Sequence, residues 1–181
     1  RAFLFIRPSV FVVFDRVEST DASFTKKWLL HSATEPRVVD EGLFEVRNDA
    51  STLAVHTLAP GLIDTTVIGG EGNEFEAAGT NYPPKKQHDA DEAGRWRVEV
   101  SPYDANERDY FLHVLGVDVD ILDARVEEDD ASMSVRIRCD QGVYTVQFAK
   151  TGPLTSQLRL HPAAGDADVA TTHALTDLVL P

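Results

Sequence analysis

Asp15 closes the apolar run Val10-Phe11-Val12-Val13-Phe14, and His31 closes the next one, Trp28-Leu29-Leu30. A carboxylate and an imidazole at neighbouring strand ends supply the oxygen and nitrogen that a zinc ion takes. The pair Asp15 and His31 is therefore the candidate metal site. The plainer assignment has Asp15 capping a turn or pairing with Arg16 or Lys27, with His31 a polar strand end. The remaining histidines, His56, His88, His113, His161 and His173, are scattered, and no HxH or HExxH spacing occurs. His56 and His113 fall inside apolar runs, where a hydrogen-bonded structural histidine is expected. Cys139 is the sole cysteine, so no intramolecular disulfide forms. It sits on an apolar strand face and reads as a small hydrophobe rather than a nucleophile.

Other oxygen-rich and glycine-rich strings carry less chemistry. Asp118-Val119-Asp120 and Glu127-Glu128-Asp129-Asp130 offer oxygens of the type calcium takes, but they lack the glycine-bearing loop of an EF-hand and read as solvated turns. Gly69-Gly70-Glu71-Gly72 lacks the lysine and following helix that aim backbone amides at a phosphate. A tight turn or bulge is the expectation there. Asn81 and Tyr82, with Tyr103, are candidates for an exposed sugar-binding edge. Arg95, Arg97, Arg136 and Arg138 fall on the outward parity of two strands, and would form a basic patch if those strands were neighbours. Otherwise they pair with acidic residues nearby.

Period-2 alternation dominates the elements that must hold these residues. Trp96, Val98 and Val100 alternate with Arg95, Arg97 and Glu99, and Met133, Val135, Ile137 and Cys139 with Ser134, Arg136 and Arg138. Tyr144, Val146 and Phe148 follow, and Asp140-Gln141-Gly142 closes a hairpin between the last two runs. Ala2 to Ile6 and Val10 to Val17 are continuously apolar and read as strands covered on both faces. Further strands are expected at 27–31, 53–59, 65–68, 109–115, 121–126 and 157–160. Pro102 to Arg108 reads as one helical turn, Asp168 to Leu178 is ambiguous, and Gly79 to Gly94 reads as a surface loop. The expected fold is all-β: an antiparallel, two-sheet, jelly-roll-like β-sandwich forming a single domain over 1–181.

A chain of 181 residues is long enough to bury a real core. Its formal charge of −13 argues against nucleic acid and anionic membranes as partners. No apolar run approaches the roughly 20 residues of a membrane-spanning helix. The chain opens at Arg1 directly into a strand, and no signal-peptide pattern is present. The expectation is a domain excised from a longer protein.

The string Val10-Phe11-Val12-Val13-Phe14-Asp15-Arg16-Val17, followed by Lys26-Lys27-Trp28-Leu29-Leu30-His31, resembles the β-sandwich region of heparinase II/III-like polysaccharide lyases. Leu53 to Pro60, Ile68 to Phe75, Asn81-Tyr82 and Tyr110 to Leu115 extend the resemblance over about the first two-thirds of the chain. It implies an upstream α/α-toroid that carries the catalytic tyrosine and histidines. Those residues take the proton α to a uronate carboxyl group and drive β-elimination. It also implies a periplasmic or secreted protein and, in some relatives, a structural zinc held by the aspartate of the FDR strand and a later histidine. Here those positions are Asp15 and His31. A further histidine ligand is expected upstream of Asp15, and the chain has none there.

Two functions of different class follow. One is a non-catalytic sandwich that forms a wall of a lyase cleft and packs against the toroid, which requires an exposed apolar patch. The other is an autonomous carbohydrate-binding module. No acid–base pair stands out in the sequence, so no catalytic residue is assigned to this chain.

Overall fold

Segments that are apolar at every residue need cover on both faces, and segments that alternate need it on one. Val10 to Val17 follows this rule. Ala2 to Ile6, expected to be covered on both faces, does not, because its strand lies at a sheet edge with Phe3 and Phe5 exposed. The computed structural model describes residues 1–85, 94–161 and the backbone of 171–175. These form β1 (Ala2–Ile6), β2 (Val10–Glu18), β3 (Trp28–Ser32), β4 (Arg37–Asp40), β5 (Leu43–Asn48), β6 (Ser51–Ala59), β7 (Ile63–Gly69) and β8 (Glu76–Ala77). They continue as β9 (Thr80–Asn81), β10 (Trp96–Pro102), β11 (Arg108–Val117), β12 (Ile121–Glu128), β13 (Ser132–Cys139), β14 (Gly142–Ala149), β15 (Ser156–His161) and β16 (Thr171–Leu175). No helix occurs among the described residues.

All strand pairs are antiparallel. Where two sheets were expected, the described residues form three, together with a β8-β9 ribbon. A middle sheet runs β1-β2-β11-β6-β5-β4, a small sheet β3-β10-β7, and an outer sheet β12-β13-β14-β15-β16. Pro102 to Arg108, expected as a helical turn, leaves β10 through bends and re-enters a strand at Arg108. Of Asp168 to Leu178, residues 171–175 form β16 and the rest lie outside the described residues. Much of the loop expected at Gly79 to Gly94 also lies outside them.

The middle sheet carries a core on each face. On one, Val10, Val12 and Phe14 of β2 and Leu112 and Val114 of β11 meet Met133, Val135, Ile137, Val146 and Phe148 of the outer sheet. Phe14 stacks on Phe148 with ring centroids 4.8 Å apart. On the other, Val13, Phe111 and Leu115 meet Trp28 of β3 and Val98 and Val100 of β10. The register that pairs Phe14 with Leu112 and Val13 with His113 keeps the two sets on opposite faces. The β13–β14 hairpin closes as expected, Cys139 pairing with Gly142 around the two-residue loop Asp140-Gln141.

The small sheet is three strands wide against six in the middle one, and it leaves the β1 flank bare. Leu4 and Ile6 face the first core. Phe3 and Phe5 alternate with them and stay 63% and 43% exposed, resting on Phe11 with ring centroids 5.5 and 4.4 Å from it.

If Phe148 pins the outer sheet to the middle one, Phe148→Ala should cost about 3–5 kcal/mol through the lost ring and the cavity it leaves. Urea denaturation of the two proteins measures this, and a loss below about 1 kcal/mol would mean that the outer sheet is held elsewhere.

Candidate functional site

The two proposed metal ligands stand apart. Asp15 shares the parity of Val13 and faces the small-sheet side of β2, where Arg1 holds it through Nε–Oδ1 at 2.7 Å and Nη2–Oδ2 at 2.9 Å. Its partner is therefore Arg1, not Arg16 or Lys27. His31 alternates with Trp28, Leu30 and Ser32, which turn inward, so its ring is on the exposed outer face of β3. With both carboxylate oxygens taken by a guanidinium and the imidazole directed the other way, these two residues do not fit a shared zinc ion. Among the described residues, no group of three or more histidine, cysteine, aspartate or glutamate side chains gathers as a metal would need.

The arginine quartet also divides. Arg97 sits on β10 in the small sheet, whereas Arg136 and Arg138 sit on β13 in the outer sheet, on the far side of the middle sheet. The single patch expected from parity does not form, because outward parity fixes a face but not which strands are neighbours. Arg97 is committed to Glu99 through Nε–Oε1 at 2.6 Å and to Glu76 through Nη2–Oε2 at 2.8 Å. Lys27 reaches the other Glu99 oxygen at 2.5 Å. Burial alone would raise the Glu99 carboxyl, but hydrogen bonds from Lys27 and Arg97 outweigh it and hold the group below the usual glutamate range. Arg95 has interactions of its own.

Asn81 is spent on its own ribbon. Its Oδ1 accepts from the Phe75 amide at 2.8 Å, and its Nδ2 donates to Glu74 at 3.1 Å. Tyr82 remains exposed, as does Tyr103, whose backbone donates to Leu62 at the end of the small sheet. Beside Tyr103 and Phe24 a small cleft has Lys26 and Asp109 in its wall. These two are nearly buried and 3.0 Å apart, an ionic contact without hydrogen-bond geometry at Asp109 Oδ2. Lys26 donates instead to the Asn106 carbonyl, tying the 19–27 loop to the 103–109 loop.

His113 is the most perturbed group. It is wholly buried on β11, its ring centroid 3.9 Å from that of Trp28, with Nδ1 3.2 Å from Thr57 Oγ1. Its Nε2 and the Trp28 Nε1 have no hydrogen-bond partner among the described residues. Burial first, and the Arg1 charge second, push its pKa down to about 3. The buried ring therefore stays neutral and packs on Trp28 within the core.

The outer face of the outer sheet gathers arginines that sequence reasoning reached only in part. Arg125 pairs across the sheet with Arg136, Arg136 with Thr145, and Thr145 with Arg159. Arg138 lies in the next row, and His161 Nε2 is 2.8 Å from Thr145 Oγ1. Arg125 and Arg159 were not singled out, although each occupies the outward parity of an expected strand. The missing information was the strand order.

The chain matches no protein-family model, and no curated protein matches it at a significant level.

The buried His113 gives a pH signature. The unfolded ring takes up a proton below its ordinary value near 6.5, while the folded ring stays neutral to about 3. Between these limits the unfolded state binds more protons, so stability falls as pH falls, by up to about 1.4 kcal/mol per pH unit. His113→Leu should remove that contribution. Urea midpoints of both proteins between about pH 7 and about pH 4 test it, and parallel profiles would show that His113 does not stay neutral as described.

Proposed function

We infer that this chain is a non-catalytic, accessory β-sandwich domain of a heparinase II/III-like polysaccharide lyase. Its companion is an α/α-toroid that carries out β-elimination on uronate-containing glycans. The sandwich, jelly-roll-like in the sequence expectation, is read as a layered one in which the middle sheet serves two cores. The residues behind the resemblance support this reading by their place in the fold. Val10 to Val17 is most of β2, Trp28 to His31 most of β3, and Tyr110 to Leu115 the centre of β11. They are core strands of one contiguous region, and Trp28 and His113 from two of these strings touch.

The observation that carries the reading is the bare flank of β1. Phe3, Phe5 and Phe11 form an aromatic surface on an edge strand that the small sheet stops short of covering. Exposed aromatic rings grouped in this way are what an interdomain contact buries. A second reading, an autonomous carbohydrate-binding module, is favoured by the arginine-bearing face of the outer sheet.

Given a linear uronate polymer, the chain alone should generate no ultraviolet absorbance from unsaturated uronate ends. Such absorbance would make the chain an enzyme and sink the accessory assignment. In a toroid-bearing protein, Phe3→Ser with Phe5→Ser should expose the domain junction to limited proteolysis while the isolated chain keeps its melting temperature within a few degrees. A junction as resistant as in the unsubstituted protein would contradict the docking role of the flank.

A further inference from the structure

The cross-strand row Arg125–Arg136–Thr145–Arg159 is an energetic oddity in a chain of formal charge −13. With 30 acidic side chains available, several arginines elsewhere are neutralised: Arg1 by Asp15, Arg37 by Glu45, Arg97 by Glu76 and Glu99, and Arg108 by Glu18, whereas Arg7 and Arg16 pair with no carboxylate of a described residue. On the outer sheet Arg125 alone has a carboxylate, Asp123 at 3.0 Å. Arg136, Arg138 and Arg159 are exposed and make no hydrogen bond or ion pair with a described residue. Like charges directly opposite one another on a sheet destabilise it, and Arg125 faces Arg136 in that way. The sheet is otherwise sound. Beneath the row, Val135, Ile137 and Val146 are fully buried. The face therefore concentrates guanidinium groups without folding requiring it.

Geometry narrows what such a face recognises. Neighbouring strands are spaced by about 4.8 Å, close to the length of one sugar ring, so the row repeats charge on the scale of a glycan chain lying across the strands. Its polar neighbours include the neutral amides and hydroxyls of Gln147, Gln157, Ser134 and Thr145, which suit sugar hydroxyls, beside one carboxylate, Glu127, that a polyanion must pass. Guanidinium groups bind carboxylates in bidentate fashion. The outward residues here include no tryptophan, tyrosine or phenylalanine on which a base would stack, and the His161 ring is engaged with Thr145. Leu122 at the β12 bulge is exposed, but one leucine is too little apolar surface to enter a membrane. The face lacks the apolar centre of a protein interface.

We propose that the outer face of β12–β15, centred on Arg136 and Arg159 with Arg125 and Arg138 beside them, binds a linear acidic polysaccharide through its carboxylates. This rests on the carbohydrate part of the reading above, and is independent of the Phe3–Phe5–Phe11 flank and of any catalysis. The face serves as a holdfast that keeps the polymer near a distant reaction site, acting by local concentration.

The test is calorimetry on the full chain with polygalacturonate, and with a single-stranded DNA oligonucleotide of matched charge as comparison. The chain should bind polygalacturonate, with affinity falling as sodium chloride rises from about 0.05 to about 0.5 M. Arg136→Glu with Arg159→Glu should weaken binding by at least about tenfold. Arg7→Glu with Arg47→Glu changes the net charge equally and should leave affinity within about twofold, which excludes a bulk charge effect. Both pairs are exposed, and a thermal melt confirms that each variant folds. No binding at low salt, or equal binding by the Arg136/Arg159 variant, overturns the site while leaving the docking flank untouched. Binding of the oligonucleotide as tightly as polygalacturonate overturns the ligand class.

Discussion

β2 and β11 are buried on both faces, and the arrangement of the rest of the chain follows from that constraint. A strand pair with Phe14 and Leu112 on one side and Val13 and Phe111 on the other cannot sit at the surface of a two-layer sandwich. Each side needs its own covering sheet. The C-terminal strands supply one and the β3-β10-β7 trio the other. Because the trio is narrow, cover ends before the β1 edge, and the same apolar demand that builds the second core leaves Phe3 and Phe5 bare. The exposed aromatic flank is thus the unmet remainder of the packing that forms the interior.

Polar groups inside this frame serve assembly. Arg1 neutralises Asp15 beside the second core, and Lys26 with Asp109 joins two loops at the end of the small sheet. Lys26 and Asp109 are both nearly buried, so removing either would leave an uncompensated charge, which costs far more than the pair contributes. His113 is tolerated because its ring packs on Trp28 and remains neutral. The groups open to a ligand lie on the periphery, where the outer sheet turns its arginines to solvent.

Much of the fold was legible in the residues. Continuous apolarity in Val10 to Val17 reported burial on both faces, whereas in Ala2 to Ile6 it located the strand but not its cover, since Phe3 and Phe5 are exposed. Alternation located β10, β13 and β14 and the hairpin at Asp140-Gln141. β4 escaped because all four of its residues are exposed, and β5 because Leu43 at its start blurs the alternation of Phe44 and Val46. Parity placed Arg97 and Arg136 outward, but adjacency depends on which strands pair over long sequence distances, and no local pattern encodes it. The same gap produced the candidate pair Asp15 and His31. Each residue ends an apolar run, yet one faces Arg1 between sheets and the other faces solvent.

The most direct measurement is hydrogen exchange on the chain alone and within a toroid-bearing protein. The account predicts that β2 and β11 amides exchange slowest in both, and that β1 gains protection only when the helical domain is present. Equal β1 exchange in the two settings would contradict it, because the aromatic flank would then have no neighbour to meet.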